Sequence, residues 1–186
     1  MNKVWFVTGA ASRLGADIVN AALAQGDRVF ATDGDAATLG QDLARPDERR
    51  LVALPLDVAD GRAVLAAVNA ATEAFGRLDV VVHAEPLRQA AAAPGRWPAT
   101  ELVRGLFNVT RAALPAMRAQ GGGRIHHIVP PSKAGASLFS FDGFCLAVAA
   151  DVAREGIVVE AVAQCEAHAR IFAAWTPGAD HVLEEA

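Results

Sequence analysis

At 186 residues the chain is long enough to bury a sizeable core as one domain. Its 53% hydrophobic and 20% charged residues are the balance of a globular protein, and a net charge of −4 with scattered Lys and Arg leaves no basic face for nucleic acid. No apolar run approaches the roughly 20 residues that span a bilayer, Val4–Val7 is too short for a signal-peptide core, and the two cysteines form no C-x-x-C pair.

Apolar runs alternate with helical patterns along the chain. Lys3–Thr8 reads as a strand, Arg13–Gln25 as a helix and Arg28–Thr32 as a second strand ending at Asp33. A short helix is expected over Ala36–Leu43, a strand over Leu51–Pro55, a helix over Asp60–Phe75 and a strand over Leu78–Ala84 around Val80-Val81-Val82. Pro86 to Pro98 is rich in Ala and Pro and reads as an irregular loop (86–98). A helix over about Ala99–Ala119, a strand over Arg124–Val129, a helix over about Asp142–Arg154 and a strand over Ile157–Val162 complete the series. The tail, 164–186, carries a weak amphipathic pattern around Ala167–Trp175. Near-continuous apolar strands separated by helices predict an α/β fold: a doubly wound parallel sheet of about six strands with helices on both faces.

The richest chemistry follows the first strand. Thr8-Gly9-Ala10-Ala11-Ser12-Arg13-Leu14-Gly15 is a glycine turn running into a helix, whose N-terminal N–H groups favour an anion. Gly9 and Gly15 would let the backbone approach a pyrophosphate closely. Asp33 sits at the end of the second strand, where a carboxylate can accept hydrogen bonds from a ribose diol; Asp57 could reach an adenine amino group.

These segments, with Leu54–Val58, Phe75–Val82, Gly105–Arg118, Gly123–Ile125 and Glu155–Val159, resemble the short-chain dehydrogenase/reductases over roughly residues 3–163. The resemblance implies a single Rossmann-like dinucleotide-binding domain over 1–186. Thr8, Gly9, Ser12, Leu14 and Gly15 would line the cofactor phosphates. Asp33 would favour NAD over NADP by repelling a 2′-phosphate, and Asp57 and Val58 would hold the adenine. Arg13 stands where the family has its middle glycine, to pair with a phosphate or to crowd it.

The second half departs further. By the resemblance, the family's Asn-Ser-Tyr-Lys set falls on Leu102, Pro130 (or Ser132), and Phe144 and Val148, unless the Tyr-Lys step falls in a gap; the chain contains no tyrosine at all. The family's N-N-A-G reads His83-Ala84-Glu85-Pro86, and its P-G after the sixth strand reads Gln164-Cys165-Glu166. Against the family, residues are missing after Pro86, within the helix after Phe144 and beyond the sixth strand. The sheet's carboxyl rim would carry His83, Glu85, His127 and Ser132 as replacement acid–base or orienting groups, with Lys133, Cys165, Glu166 and His168 nearby. His126 and His127 cannot both face the cleft. No metal-ligand motif is present.

The expectation is therefore a cytoplasmic dinucleotide-binding protein with a degenerate catalytic site. NAD is expected ahead of NADP, an unliganded scaffold being the alternative. The expected partner is a second copy or an active homologue, with neither nucleic acid nor membrane engaged. Two other readings stay open: an NAD-dependent oxidoreductase of weak or atypical activity, and a lyase, isomerase or cyclase using His and Glu groups.

Overall fold

The computed structural model describes residues 2–35, 39, 41–44, 49–84, 99–129 and 138–173. Six strands, β1 (Val4–Thr8), β2 (Arg28–Asp33), β3 (Leu51–Pro55), β4 (Val80–His83), β5 (Gly123–Val129) and β6 (Ile157–Ala163), form one sheet in the order β3-β2-β1-β4-β5-β6. Every pairing is parallel. The described helices are α1 (Arg13–Ala24), α2 (Gly61–Phe75), α3 (Ala99–Gln120), α4 (Leu138–Val152) and α5 (Ala167–Ala173).

Successive strand residues point to opposite faces, so each strand feeds two cores. Val4, Phe6, Phe30, Val81, Ile125 and Val159 pack against α2, α3 and α4. Trp5, Val7, Val29, Val82, Ile128 and Val162 pack against α1 and α5, where Trp5 stacks on Phe172 with ring centroids 5.3 Å apart. This is the doubly wound arrangement expected from the apolar strands. α2 starts on Asp60, whose carboxylate accepts from the Arg62 and Ala63 amides, and stops at Gly76 with φ +79°.

Side chains stitch the amino ends of the strands. Asp27 accepts from Lys3 N at 2.8 Å and from Trp5 Nε1 at 2.8 Å. Asp79 Oδ2 accepts from Val4 N at 2.8 Å while its carboxylate meets the Arg77 guanidinium. Gln120 brackets Leu78, accepting from its N–H and donating to its carbonyl. Asp79→Ala leaves the buried Val4 N–H without its acceptor, an expected cost of about 1–3 kcal/mol. The readout is a lower urea midpoint at constant slope; an unmoved midpoint would show that Asp79 does not secure β1.

Two expectations need correction. The helix placed over Ala36–Leu43 falls partly outside the described residues; Leu39 is in a turn and residues 41–43 are bends. The Asn20 side chain takes the backbone there, donating to Asp42 O and accepting from Ala44 N, which ties the segment to α1. The helix expected from Asp142 begins earlier, at Leu138, and ends at Val152, before a 3-10 turn that closes on Gly156 at φ +69°. The loop 86–98 and residues 174–186 lie outside the described residues.

Candidate functional site at the carboxyl end of the sheet

The strand order runs leftward from β1 to β3 and rightward from β4 to β6, so the crevice between β1 and β4 is the switch point where open α/β sheets take ligands. Thr8 and His83 end these two strands in register. The turn after Thr8 is built by glycine chemistry. Gly9 has φ +69°, in the left-handed region. A Cβ on Gly15 would overlap the Gly9 carbonyl and lie 2.9 Å from Ala10 Cα, so only glycine lets α1 start this close to β1.

The turn's amides divide into committed and open groups. Ala10 N donates to Thr32 O at 3.0 Å and Ala11 N to Asp33 Oδ2 at 3.0 Å. Ser12 is the N-cap of α1: its hydroxyl donates to Gly9 O and accepts from Gly15 N, so it is already engaged within the turn. The amides of Arg13 and Leu14 have no acceptor among the described residues, the orphan donors of a helix start. Arg13 occupies the turn without strain, since no described non-glycine residue has positive φ. Its side chain is exposed and lines a groove of about 360 Å³ with Leu14, Asp17, Gln164 and Cys165. Open amides, a guanidinium and a Cβ-free approach suit a phosphate group.

Asp33 is fully buried, with Oδ1 accepting from Asp35 N at 2.8 Å and Oδ2 from Ala11 N. Asp57 is exposed and its Oδ1 accepts from Ala59 N; Val58 is buried. Asn108, which the sequence reading passed over, holds this loop: its Nδ2 donates to Val58 O at 2.9 Å and Ala59 O at 3.2 Å. A lone asparagine inside the apolar stripe of α3 was the available signal.

His83 and His127 do come together, with ring centroids 5.6 Å apart, but beneath α3 and fully enclosed. His83 Nδ1 lies 2.8 Å from Thr8 Oγ1, and its ring edge rests where Gly105 has no side chain. Thr110 donates its only hydroxyl proton to Leu106 O, so His127 Nε2–H is the donor to Thr110 Oγ1, at 2.9 Å. His127 Nδ1 then has no partner among the described residues. Burial pushes His83 down to about 4, and burial, then the neighbouring His83 and His126, holds His127 well below its ordinary value. His126 points to the opposite face. Its Nδ1 is 2.8 Å from Glu160 Oε1 but out of line for an aligned ring N–H hydrogen bond.

Phe144, at the position matched to the family's tyrosine, lies edge-on to His127 and to Phe107. Leu102 lies in α3 and Val148 in α4. Glu85, Pro130, Ser132 and Lys133 lie outside the described residues. Among the described residues no group of three or more His, Cys, Asp or Glu is placed to hold a metal ion, and no helix is long and apolar enough to cross a membrane.

Comparison with known proteins settles the family. The family described as short chain dehydrogenase matches residues 3–177. The chain belongs to the short-chain dehydrogenases. It is 36% identical over 156 residues to 2-(R)-hydroxypropyl-CoM dehydrogenase of Xanthobacter autotrophicus, covering 77% of this chain and 60% of that one. It is 34% identical over 134 residues to Oxidoreductase BOA17 of Botryotinia fuckeliana, covering 69% of this chain and 49% of that one. The crystal structure of a short-chain dehydrogenase from Streptomyces avermitilis superposes with a TM-score of 0.71 at 31% identity, over 88% of this chain and 65% of that one. The chain thus spans about half to three-fifths of the length of these two curated relatives. Short-chain dehydrogenases bind NAD(P) and are commonly oligomeric.

Proposed function

We propose that this short-chain dehydrogenase is a dinucleotide-binding protein, taking NAD ahead of NADP in the cytoplasm, whose catalytic site no longer performs ordinary carbonyl reduction or alcohol oxidation. The observation that carries the binding half is the turn itself: Gly9 at positive φ, Gly15 against the Gly9 carbonyl, and the open Arg13 and Leu14 amides at the head of α1. Gly9, Gly15, Leu14 and Arg13 would hold the pyrophosphate, with Thr8 and Ser12 shaping the turn. Asp57 and Val58 would meet the adenine, held in place by Asn108. The nicotinamide, when bound, would supply or accept hydride.

The catalytic half of the proposal rests on proton chemistry. The chain has no tyrosine, and Phe144 fills the matched position with a ring that has no proton to give. His83 and His127 do not substitute for it: a general acid must reach the substrate and carry a proton near neutral pH, and these rings are enclosed and held neutral. Their burial weighs against the lyase, isomerase or cyclase reading insofar as it used them. A dinucleotide-bound partner role, with a second copy or an active homologue, fits what remains.

Isothermal titration with NAD⁺, NADH and NADP⁺ tests the binding half, and NADH with a panel of ketones tests the rest. The expected result is NAD⁺ affinity in the micromolar range, corresponding to about −8 kcal/mol, weaker NADP⁺ binding and no ketone turnover. Absence of binding at millimolar cofactor would sink the first half, and steady NADH oxidation the second.

A further inference from the structure

The buried carboxylate of Asp33 has a task that its position at the strand end does not announce. From the sequence it faces a ribose diol. In the structure it is 0% exposed and is engaged from two sides by the backbone, Ala11 N on Oδ2 and Asp35 N on Oδ1. Ala11 is the second residue after Gly9, and its neighbour Ala10 donates to Thr32 O, the residue before Asp33. Two successive amides of the glycine turn are therefore sewn to two successive positions at the end of β2, one through a carbonyl and one through the carboxylate. Gly9, Ser12 and Gly15 close the turn on itself, but the bonds among them and to Ala16 lie within the turn and the first turn of α1 and do not fix its place on the sheet. The bonds to Thr32 and Asp33 do. Asp33 O also accepts from Leu56 N, which places the strand that leads into Asp57 and Val58.

We infer that Asp33 is a positioning residue: its carboxylate fastens the glycine turn to the end of β2 and so sets where the Arg13 and Leu14 amides point. A charge-assisted bond to a partly buried N–H is stronger than a neutral one and costs more to lose. This rests on the proposal that the turn binds a dinucleotide, and it changes what the acid does there. A residue that only reads the ribose weakens NAD⁺ when neutralised and strengthens NADP⁺, because the 2′-phosphate is no longer repelled. A fastener weakens both, because the phosphate donors they share lose their aim.

Asp33→Asn is the test. The amide keeps one oxygen for one backbone N–H and sets an NH₂ against the other. The expected result is a fall of about tenfold or more in affinity for NAD⁺ and a smaller fall, still not a gain, for NADP⁺, which loses its turn but also the repulsion on its 2′-phosphate. Amide hydrogen exchange supplies a readout that general loss of stability does not move and that needs no cofactor. In the cofactor-free parent the Ala11 N–H is expected to exchange slowly, and in Asp33→Asn selectively faster than the Ala10 N–H, whose Thr32 acceptor is untouched. Tighter NADP⁺ binding by the variant overturns the inference. So does an Ala11 amide that exchanges freely in the parent. If the parent binds no dinucleotide, the functional proposal fails while the exchange data still decide the fastening role.

Discussion

Gly15→Ala is expected to abolish dinucleotide binding and to lower stability by about 3 kcal/mol or more, the upper end of overpacking costs. The added methyl overlaps the Gly9 carbonyl and crowds Ala10 Cα at 2.9 Å, and both are backbone, which cannot swing aside as a flexible side chain can. Relief requires α1 to move off β1, which breaks the Ser12 cap and tilts the Arg13 and Leu14 amides away from a shared anion site. For a domain of this size the change amounts to roughly 10 °C in melting temperature. Gly143 is the control. It is exposed within α4, and a Cβ there would meet nothing within 4 Å. Gly143→Ala should gain several tenths of a kcal/mol from helix propensity alone. Calorimetric melting and NAD⁺ titration of both variants check this. Parent-like binding by Gly15→Ala would mean that the turn does not need its close approach to β1.

The second large effect is on acid stability. His83 and His127 are neutral in the folded protein, whereas in the unfolded chain each imidazole takes a proton as pH falls through the ordinary value of 6.5. Between that value and the lower folded value the unfolded state binds more protons, so stability rises with pH across the window and is fully present above it. For His83 the window runs from 6.5 down to about 4, a loss on the order of 3 kcal/mol on acidification. His127 adds to the loss in the same direction. Urea unfolding at about pH 7.5 and about pH 4.5 should show the fall. His127→Leu should shrink it with a modest effect at neutral pH, because Thr110 keeps its bond to Leu106 O. A variant as acid-sensitive as the parent would assign the loss to other groups.

Much of the scaffold was legible because its rules are local. Val80-Val81-Val82 could only be a strand buried on both faces, and the alternation that sends Phe6 to one core and Trp5 to the other follows from the pleat. The glycine turn was readable because positive φ and close approach each demand glycine. What escaped was set by partners distant in sequence. Nothing near Ala36–Leu43 announces that Asn20 will capture its backbone. His83 and His127 look like rim residues in a linear reading, but with the Thr8 and Thr110 contacts their rings lie enclosed beneath α3, out of reach of solvent. Asp33 was read by its type and place, while its work depends on two amides that only the folded turn brings to it.

The seam between β1 and β4 has a consequence for the order of assembly. The bond from Ala11 N to Asp33 joins residues 22 apart, whereas the bonds from Val4 N to Asp79 and between Thr8 and His83 each span 75. Loop-closure entropy favours the shorter closures first. A nascent chain that has emerged as far as Asp35 already contains every partner the glycine turn uses, while the other wall of the crevice waits for more than a further turn and strand to be made. In each new molecule the glycine turn, which would take the phosphates, has all its hydrogen-bond partners before the half that would carry chemistry has been synthesised.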